Sequence, residues 1–228
     1  MFTVSQNHDT RPEDTQARRE RAAPLYAMAR VFLRAFFRLF NRWEVVGRER
    51  VPAEGGVLLI ANHTSYVDPP IVGTASPRPV NFMAKAELFR IPVLGWLIRR
   101  THAFPVRRDT TDREALRRAI RLLRDGRVLL VFPEGTRSPD GRVMEAEQGA
   151  AFIALSAGAH VVPVAIDGAD RVLPRHSPIV RPGKLRVAFG EPVDLSQLCG
   201  QRLTREVLGQ ASERMMEALR GLLPPERR

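Results

Sequence analysis

Seven short apolar runs alternate with segments of helical character, and this alternation constrains the fold more than any other feature of the sequence. Each run is rich in Val, Leu, Ile, Phe or Ala and is bounded by Gly, Pro or charged residues, as buried strands are. The predicted strands are 43–46, 57–61, 80–84, 103–106, 128–132, 161–166 and 185–189. The predicted helices are 69–74, 91–100, 110–124, 146–157 and 203–222. We expect an α/β fold with a mostly parallel central sheet of about seven strands and helices on both faces.

The segment before the first strand follows a different pattern. Residues 1–21 are polar and mixed in charge, which predicts a disordered leader. Residues 25–43 predict an N-terminal amphipathic helix with most of its apolar side chains on one arc and four arginines on the other: Arg30, Arg34, Arg38 and Arg42. Such a helix suits a membrane interface, although packing on its own domain or on a second copy would also satisfy it. We therefore divide the chain into a leader with an interfacial helix, 1–43, and a main domain, 44–228.

Composition restricts the compartment and the partners. The net charge of +11 favours polyanionic surfaces, either anionic lipid or nucleic acid. Cys199 is the single cysteine, so it cannot form an internal disulfide, and a reducing compartment is expected. The sequence shows no apolar stretch of eighteen residues and no signal peptide. These features predict a cytoplasmic protein that lies peripherally on the inner face of the cell membrane.

One strand leads directly into a pair of residues suited to proton transfer. His63 follows the run 57–61, at the carboxyl end of a strand, where open α/β sheets place their ligands. Asp68 comes five residues later and is followed by Pro69, as at the start of a helix. A carboxylate bonded to one ring nitrogen would orient the imidazole so that the other nitrogen accepts a proton. Asp68 as a simple helix cap, and His63 as a simple turn residue, are the alternatives.

Charged side chains follow three further strands, at Lys85, at Arg107 and Arg108, and at Glu134 with Arg137. In a parallel sheet these strand ends share one edge with His63. Arginine offers bidentate donors and lysine a point charge, so Lys85, Arg108 and Arg137 form a candidate phosphate site. Six other arginines are predicted to be solvated surface charges: Arg99, Arg100, Arg113, Arg117, Arg118 and Arg121.

Two of these segments together resemble the lysophospholipid acyltransferase family, most closely its bacterial 1-acyl-sn-glycerol-3-phosphate acyltransferase type. The first segment, 62–68, reads Asn-His-Thr-Ser-Tyr-Val-Asp, and the second, 132–138, reads Phe-Pro-Glu-Gly-Thr-Arg-Ser. Softer matches lie at 85–88, 104–108 and 162–165, and the likeness extends over about 45–191. Two positions depart from the family pattern: His102 replaces a usual glycine, and Gln148 stands where lysine often precedes the glycine.

The resemblance implies roles for these residues. It makes His63 the general base and Asp68 the group that holds it. It assigns the acceptor's glycerol-phosphate head to a set of binding residues: Lys85, Arg108, Glu134, Gly135, Thr136 and Arg137. It predicts acyl transfer from acyl-coenzyme A or acyl-carrier protein to a lysophospholipid hydroxyl, which for 1-acyl-sn-glycerol-3-phosphate gives phosphatidate. The expected partners are these two substrates and an anionic membrane surface, with no metal, no other cofactor and no nucleic acid.

Three alternatives remain open at this point. The acceptor could be another lysolipid or a glycerol phosphate. The chain could be a basic binding protein without enzymatic activity, although it has no nucleic-acid-binding motif. Ser65 could be a hydrolase nucleophile, but it lacks the Gly-x-Ser-x-Gly elbow, and Cys199 has no motif around it.

Overall fold

A single seven-stranded sheet organises the molecule. The computed structural model describes residues 12–107, 112–175, 177 and 179–228, with side chains from residue 24 onward. The sheet has the strand order β1-β7-β6-β2-β5-β3-β4. All neighbouring strands are parallel except β6 and β7, which are antiparallel. The strands are β1 Asn41–Val46, β2 Val57–Ala61, β3 Val80–Lys85, β4 Ala103–Val106, β5 Val128–Val131, β6 His160–Asp167 and β7 Gly183–Phe189. The predicted α/β fold is thereby confirmed.

Helices cover both faces of this sheet, as predicted. They are α1 Pro12–Phe40, α2 Asp68–Ala75, α3 Pro92–Arg100, α4 Arg113–Arg124, α5 Gly149–Ala157, α6 Ala169–Val172 and α7 Arg205–Leu222. Short 3₁₀ helices lie at Arg48–Arg50, Ala86–Arg90, Ser196–Leu198 and Pro225–Arg227. Over the described ranges, no helix combines the length and the apolar character that a bilayer crossing requires.

The core consists of two layers, one on each side of the sheet. In one layer, side chains of α1, α2 and α6 pack on one face of the strands. They include Phe37 of α1, Ile71 of α2 and Ala169 of α6. In the other layer, α4, α5 and α7 pack on the opposite face. Alternate residues of β2 divide between the layers, with Leu59 in the first and Leu58 in the second, because successive side chains of a strand point to opposite faces. Both are fully buried.

The first helix differs from its prediction in its limits. Residues 12–21, predicted as part of a disordered leader, lie in α1, while residues 1–11 fall outside the described residues. Pro12 opens the helix, acidic residues follow in its first turn, and Ala, Gln, Glu and Arg are good helix formers. The predicted end at Trp43 is wrong, because Asn41 already pairs with Gly183 in the sheet.

The orientation of α1 is set in part by its arginines. Arg30 and Arg34, two members of the predicted arginine arc, donate hydrogen bonds to the backbone carbonyls of Ser76 and Thr74. These carbonyls lie at the carboxyl end of α2, where the helix dipole attracts cations. Arg42 lies in β1 and not in the helix. The exposed side of α1 is therefore largely apolar, with Met28, Val31, Phe32, Leu39 and Phe40 each more than half exposed.

The start of α4 was also placed too early. The sequence predicted a cap at Thr110 or Thr111, which lie outside the described residues, but the helix begins at Arg113. Asp112 is its N-cap, and its Oδ1 accepts a hydrogen bond from the backbone N–H of Ala115. Asp112 Oδ2 also accepts from the backbone N–H of Arg107, and these amide bonds keep the pKa of the carboxyl below its usual range.

Candidate active site

The strand order places the predicted site residues at one edge of the sheet. Strands β2, β5, β3 and β4 are consecutive neighbours and run parallel, so their carboxyl ends lie in a row. His63 follows the first of these ends and Glu134 follows the second. Lys85 ends the third, and Arg107 follows the fourth. The prediction that these strand ends share one edge is confirmed.

His63 and Asp68 are in direct contact. Nδ1 of His63 lies 2.8 Å from Oδ2 of Asp68, and both residues are buried. The same oxygen accepts the backbone N–H groups of Thr64 and Ser65, each at 2.7 Å. Because this oxygen only accepts, Nδ1 must donate to it, which leaves the lone pair on Nε2. The imidazole is thus fixed with its basic nitrogen turned away from the carboxylate.

Asp68 does not act as a helix cap. It is the first residue of α2, Val67 occupies the N-cap position, and no side chain among the described residues caps this helix. The Asp68 carboxylate instead binds groups that precede it in the chain, and its Oδ1 is buried without a hydrogen-bond partner in the described structure. A buried carboxylate that turns away from its own helix is consistent with the catalytic interpretation and not with the cap alternative.

The second motif holds the backbone of His63 from both sides. Glu134 Oε1 accepts the backbone N–H of His63 at 3.0 Å, and the carbonyl of His63 accepts the N–H of Ser138 at 2.7 Å. Glu134 Oε2 accepts the N–H of Met144 at 3.0 Å. Burial raises the pKa of Glu134, with a further contribution from Asp68, while the two amide bonds lower it. Both oxygens of Glu134 are therefore engaged with the protein backbone.

The turn that carries Glu134 depends on a glycine. Gly135 has a φ of 67°, in the left-handed region, and a Cβ there would lie 2.6 Å from Oε1 of Glu147. The turn also places Phe132 against His63, with ring centroids 3.9 Å apart and nearly parallel planes. Any residue other than glycine at 135 would strain the backbone and displace Glu147. The position of Glu134 depends on this close packing.

Arg137 lies over the ring of Tyr66, which belongs to the first motif. Its guanidinium carbon is 3.6 Å from the ring centroid, and Tyr66 is 60% exposed. Nη1 of Arg137 is buried and has no hydrogen-bond partner in the described structure. Cation–π contact holds the guanidinium in place without using its N–H donors. Thr136, beside it, is exposed.

The other predicted phosphate ligands lie farther along the edge. Lys85 is about half exposed, and its Nζ lies 3.6 Å from Oε1 of Glu87. Arg107 is mostly exposed, and its Nε lies 3.5 Å from Oδ2 of Asp112. Arg108 lies outside the described residues. The structure thus brings Arg137 next to the His63 segment, whereas the contacts of Lys85 are local.

Ser65 is unsuited to be a nucleophile. Its residue is fully buried, and its hydroxyl donates to the carbonyl of Leu173 at 2.8 Å. Asn62 has a similar anchoring role, because its side-chain amide exchanges two hydrogen bonds with the backbone of Ile166 in β6. Cys199 is exposed. The hydrolase alternative therefore finds no support in the geometry.

A cavity of about 600 Å³ with a mixed apolar and polar lining adjoins the site. Phe132 contributes to its wall and also stacks on His63, so the ring of Phe132 links the cavity to the imidazole. Its apolar lining comes from Met83, Val106, Leu116, Val131, Phe132, Pro133, Ala150 and Ile153. Polar residues are concentrated at Arg107, Asp112, Glu147 and Gln148. No group of three or more His, Cys, Asp or Glu residues within the described ranges is arranged to hold a metal ion.

Sequence reasoning missed three residues of this site. Tyr66 positions Arg137, Phe132 stacks on His63, and Asn62 ties the end of β2 to β6. All three lie inside the two motifs. Their position in the sequence next to the charged residues was the signal that could have identified them. Only the folded structure shows that Tyr66 contacts Arg137 and that Phe132 contacts His63.

Comparison with known proteins places this geometry in a family. A family model described as Acyltransferase matches residues 42–167, which is more than half of the chain. The 1-acyl-sn-glycerol-3-phosphate acyltransferase of Bacillus subtilis is 29% identical over 170 residues, covering 74% of this chain and 82% of that protein. The lyso-ornithine lipid O-acyltransferase of Pseudomonas aeruginosa is 37% identical over 118 residues, covering 48% of this chain and 42% of that protein.

A solved structure agrees over most of the chain. The crystal structure of the 1-acyl-sn-glycerophosphate acyltransferase PlsC from Thermotoga maritima matches with a TM-score of 0.68 and 30% identity. The match covers 93% of this chain and 84% of that one. On the family model and on this structural match, the chain belongs to the acyltransferase family.

Proposed function

We propose that this chain is an O-acyltransferase that moves a fatty acyl group from an acyl thioester to the free hydroxyl of 1-acyl-sn-glycerol-3-phosphate, giving phosphatidate. The names of the relatives supply the substrate class. One observation carries the reaction: the buried 2.8 Å contact between His63 Nδ1 and Asp68 Oδ2, which fixes Nε2 as the proton acceptor. An imidazole so oriented can deprotonate an alcohol near neutral pH.

The reaction proceeds by direct transfer. His63 Nε2 removes the proton of the acceptor hydroxyl while that oxygen attacks the thioester carbonyl carbon. The tetrahedral adduct then collapses, the carbon–sulfur bond breaks, and the proton on His63 passes to the departing thiolate. Asp68 stabilises the imidazolium between these steps. Because His63 is held at both its N–H and its carbonyl by the second motif, little reorganisation is needed during the reaction.

Arg137 binds the acceptor phosphate in this proposal. Its guanidinium is fixed on Tyr66, its Nη1 has no partner in the described structure, and its loop contacts the His63 backbone. Lys85, Arg108 and Thr136 would complete the phosphate site at the same edge. Glu134 and Gly135 position His63 in this scheme, since both oxygens of Glu134 already bind backbone amides.

The acyl thioester occupies the cavity beside Phe132 in this proposal. The apolar lining suits a fatty chain, and the contact of Phe132 with His63 would place a bound thioester close to the imidazole. Acyl-coenzyme A and acyl-carrier protein both present the same thioester. No further cofactor is required for this chemistry.

We also propose that the enzyme works on the inner face of the cell membrane through α1 and α3. The exposed apolar residues of α1 are joined by those of α3, among them Val93, Trp96 and Leu97. Side chains of this kind enter the boundary between head groups and acyl chains. Since Arg30 and Arg34 bind α2, the apolar residues of α1 would supply most of the attachment.

A different lysolipid acceptor is the second candidate. The lyso-ornithine lipid relative has the highest identity of the proteins compared above, over about half of this chain. A basic binding protein without activity is the remaining candidate, and the oriented His63 argues against it.

Turnover of defined substrates tests the proposal. Purified wild type is given lysophosphatidate and an acyl-coenzyme A, and phosphatidate is measured by mass spectrometry beside a panel of other lysolipids. We expect phosphatidate from wild type and a loss on the order of 10²–10⁴-fold for His63→Ala. His160→Ala is the matched control, because His160 is exposed at the start of β6, and it should keep full activity.

The outcomes separate the candidates. Turnover by His63→Ala close to that of wild type would refute the proposed base. Preference for a lysolipid without phosphate would favour the second candidate. Absence of turnover with every acceptor, together with tight binding of nucleic acid, would favour the binding protein.

A further inference from the structure

The outer face of α4 carries an unusual concentration of positive charge. The helix contains five arginines and one acidic residue, Glu114. Arg113, Arg117 and Arg121 are exposed and follow one another at intervals of four residues, so they lie on one face of the helix. Within the described ranges, no acidic side chain forms an ion pair with any of the three. Like charges four residues apart repel, so this arrangement disfavours the isolated helix.

This arginine face (Arg113, Arg117 and Arg121) borders the cavity of the proposed donor site. Leu116, three residues after Arg113 and one before Arg117, lines the cavity, as does the N-cap residue Asp112. The cavity extends from there to Phe132, which stacks on His63. A molecule bound on the arginine face could therefore deliver an extended arm into the cavity and to the imidazole.

The arginine face lies on the side of the molecule away from the apolar surface of α1. Helix α4 packs with α5 and α7 on one face of the sheet, whereas α1 packs with α2 and α6 on the other. The exposed apolar side chains of α1 and the arginines of α4 therefore lie on opposite sides of the sheet. The partner of the arginine face is accordingly a soluble, negatively charged molecule.

We infer that Arg113, Arg117 and Arg121 bind an acidic acyl-carrier protein that presents its acyl chain to the cavity on a phosphopantetheine arm. This inference rests on the proposed function. Arginines repeated over two turns of a helix match a surface of carboxylates on a folded partner, and such complementarity steers association and sets specificity. The net charge of +11 assists the encounter at long range. Acyl-coenzyme A enters the same cavity without requiring this surface.

A comparison of two donors tests the inference. The triple variant Arg113→Glu, Arg117→Glu, Arg121→Glu and the wild type are assayed with acyl-carrier protein and with acyl-coenzyme A, using the same acyl chain and the same lysophospholipid. We expect kcat/KM for acyl-carrier protein to fall at least about tenfold, mainly through KM, and to lose its dependence on salt. Activity with acyl-coenzyme A should stay within about twofold, which also shows that the variant folds.

A second triple variant controls for the change in net charge. Arg42→Glu, Arg181→Glu, Arg202→Glu changes three exposed arginines outside α4 and should leave both donors unaffected. Equal losses with both donors, or no loss with acyl-carrier protein, would overturn the inference. So would a wild type that uses acyl-coenzyme A but not acyl-carrier protein, or a loss of vesicle binding by the α4 variant. Failure of the wild type with both donors would instead count against the proposed function.

Discussion

At the scale of single residues, one carboxylate oxygen organises the site. Oδ2 of Asp68 accepts from the ring of His63 and from the amides of Thr64 and Ser65. The backbone donors fix the carboxylate, and the carboxylate fixes the ring. The catalytic nitrogen is therefore oriented by the fold before any substrate binds, which is where much of the rate gain of such a dyad originates.

Glu134 gives a prediction on pH and stability. Its pKa is raised above the ordinary value of 4.5, first by burial and then by Asp68. A raised pKa means that the folded state binds the proton more tightly than the unfolded state does. The resulting contribution to the free energy of unfolding is fully present below pH 4.5 and is lost as the pH rises through the pKa of Glu134 in the folded state. We expect the free energy of unfolding of wild type, relative to Glu134→Gln, to decrease from pH 4 to pH 7 in urea titrations. An increase over that range would contradict the burial effect.

The residue pattern predicted chemistry better than it predicted contacts. His63, Asp68, Glu134 and Arg137 could be selected because their types and spacing are rare together. The sequence could not show that Glu134 binds the backbone of His63, because that contact joins residues 71 positions apart. The stacking of Arg137 on Tyr66 is equally a product of the fold.

At the scale of elements, α1 shows what periodicity can and cannot decide. The pattern of residues 25–43 predicted a helix with one apolar and one arginine-rich side, but not which side faces the protein. Arg30 and Arg34 face inward because the carbonyls at the end of α2 offer them partners. The starts of α1 and α4 were missed for a related reason, since helix formers and caps recur at neighbouring positions.

The outward side of α1 can be tested directly. We expect Phe32→Glu with Phe40→Glu to weaken binding to anionic vesicles at least about tenfold in flotation assays, because each buried phenylalanine contributes roughly 1.5–3 kcal/mol. Gln201→Glu with Gln210→Glu makes the same change in charge at exposed positions outside α1 and should bind as wild type does. Equal binding by both double variants would rule out α1 as the attachment site.

At the scale of the whole molecule, Arg227 joins distant parts of the chain. Its guanidinium pairs with Asp170 at 2.9 Å and lies 3.7 Å from Asp167, and its carbonyl accepts the N–H of Val143. The next N–H along the chain, that of Met144, binds Glu134. Residues far from the imidazole in sequence thereby support the loop that holds it.

Removal of the Arg227 side chain should destabilise the folded protein. We expect Arg227→Ala to lower the free energy of unfolding by about 1–3 kcal/mol, since it leaves Asp170 unpaired in a half-buried place. Arg228→Ala, its exposed neighbour, should change it by less than about 0.5 kcal/mol. Urea unfolding of the two variants provides the measurement, and similar losses for both would show that the Arg227 network is not stabilising.

The position of β1 has a consequence for biosynthesis. Among the strands of the described residues, β1 pairs with β7 alone, and Asn41 lies opposite Gly183. These two residues are more than half of the sequence apart. While the ribosome extends the chain, β1 cannot pair in the sheet until β7 has been synthesised. During that interval the exposed phenylalanines of α1 are already synthesised. The nascent chain can therefore bind the membrane before β1 pairs with β7. In that order of events, the bilayer would assist the folding of the protein as well as hold the folded enzyme.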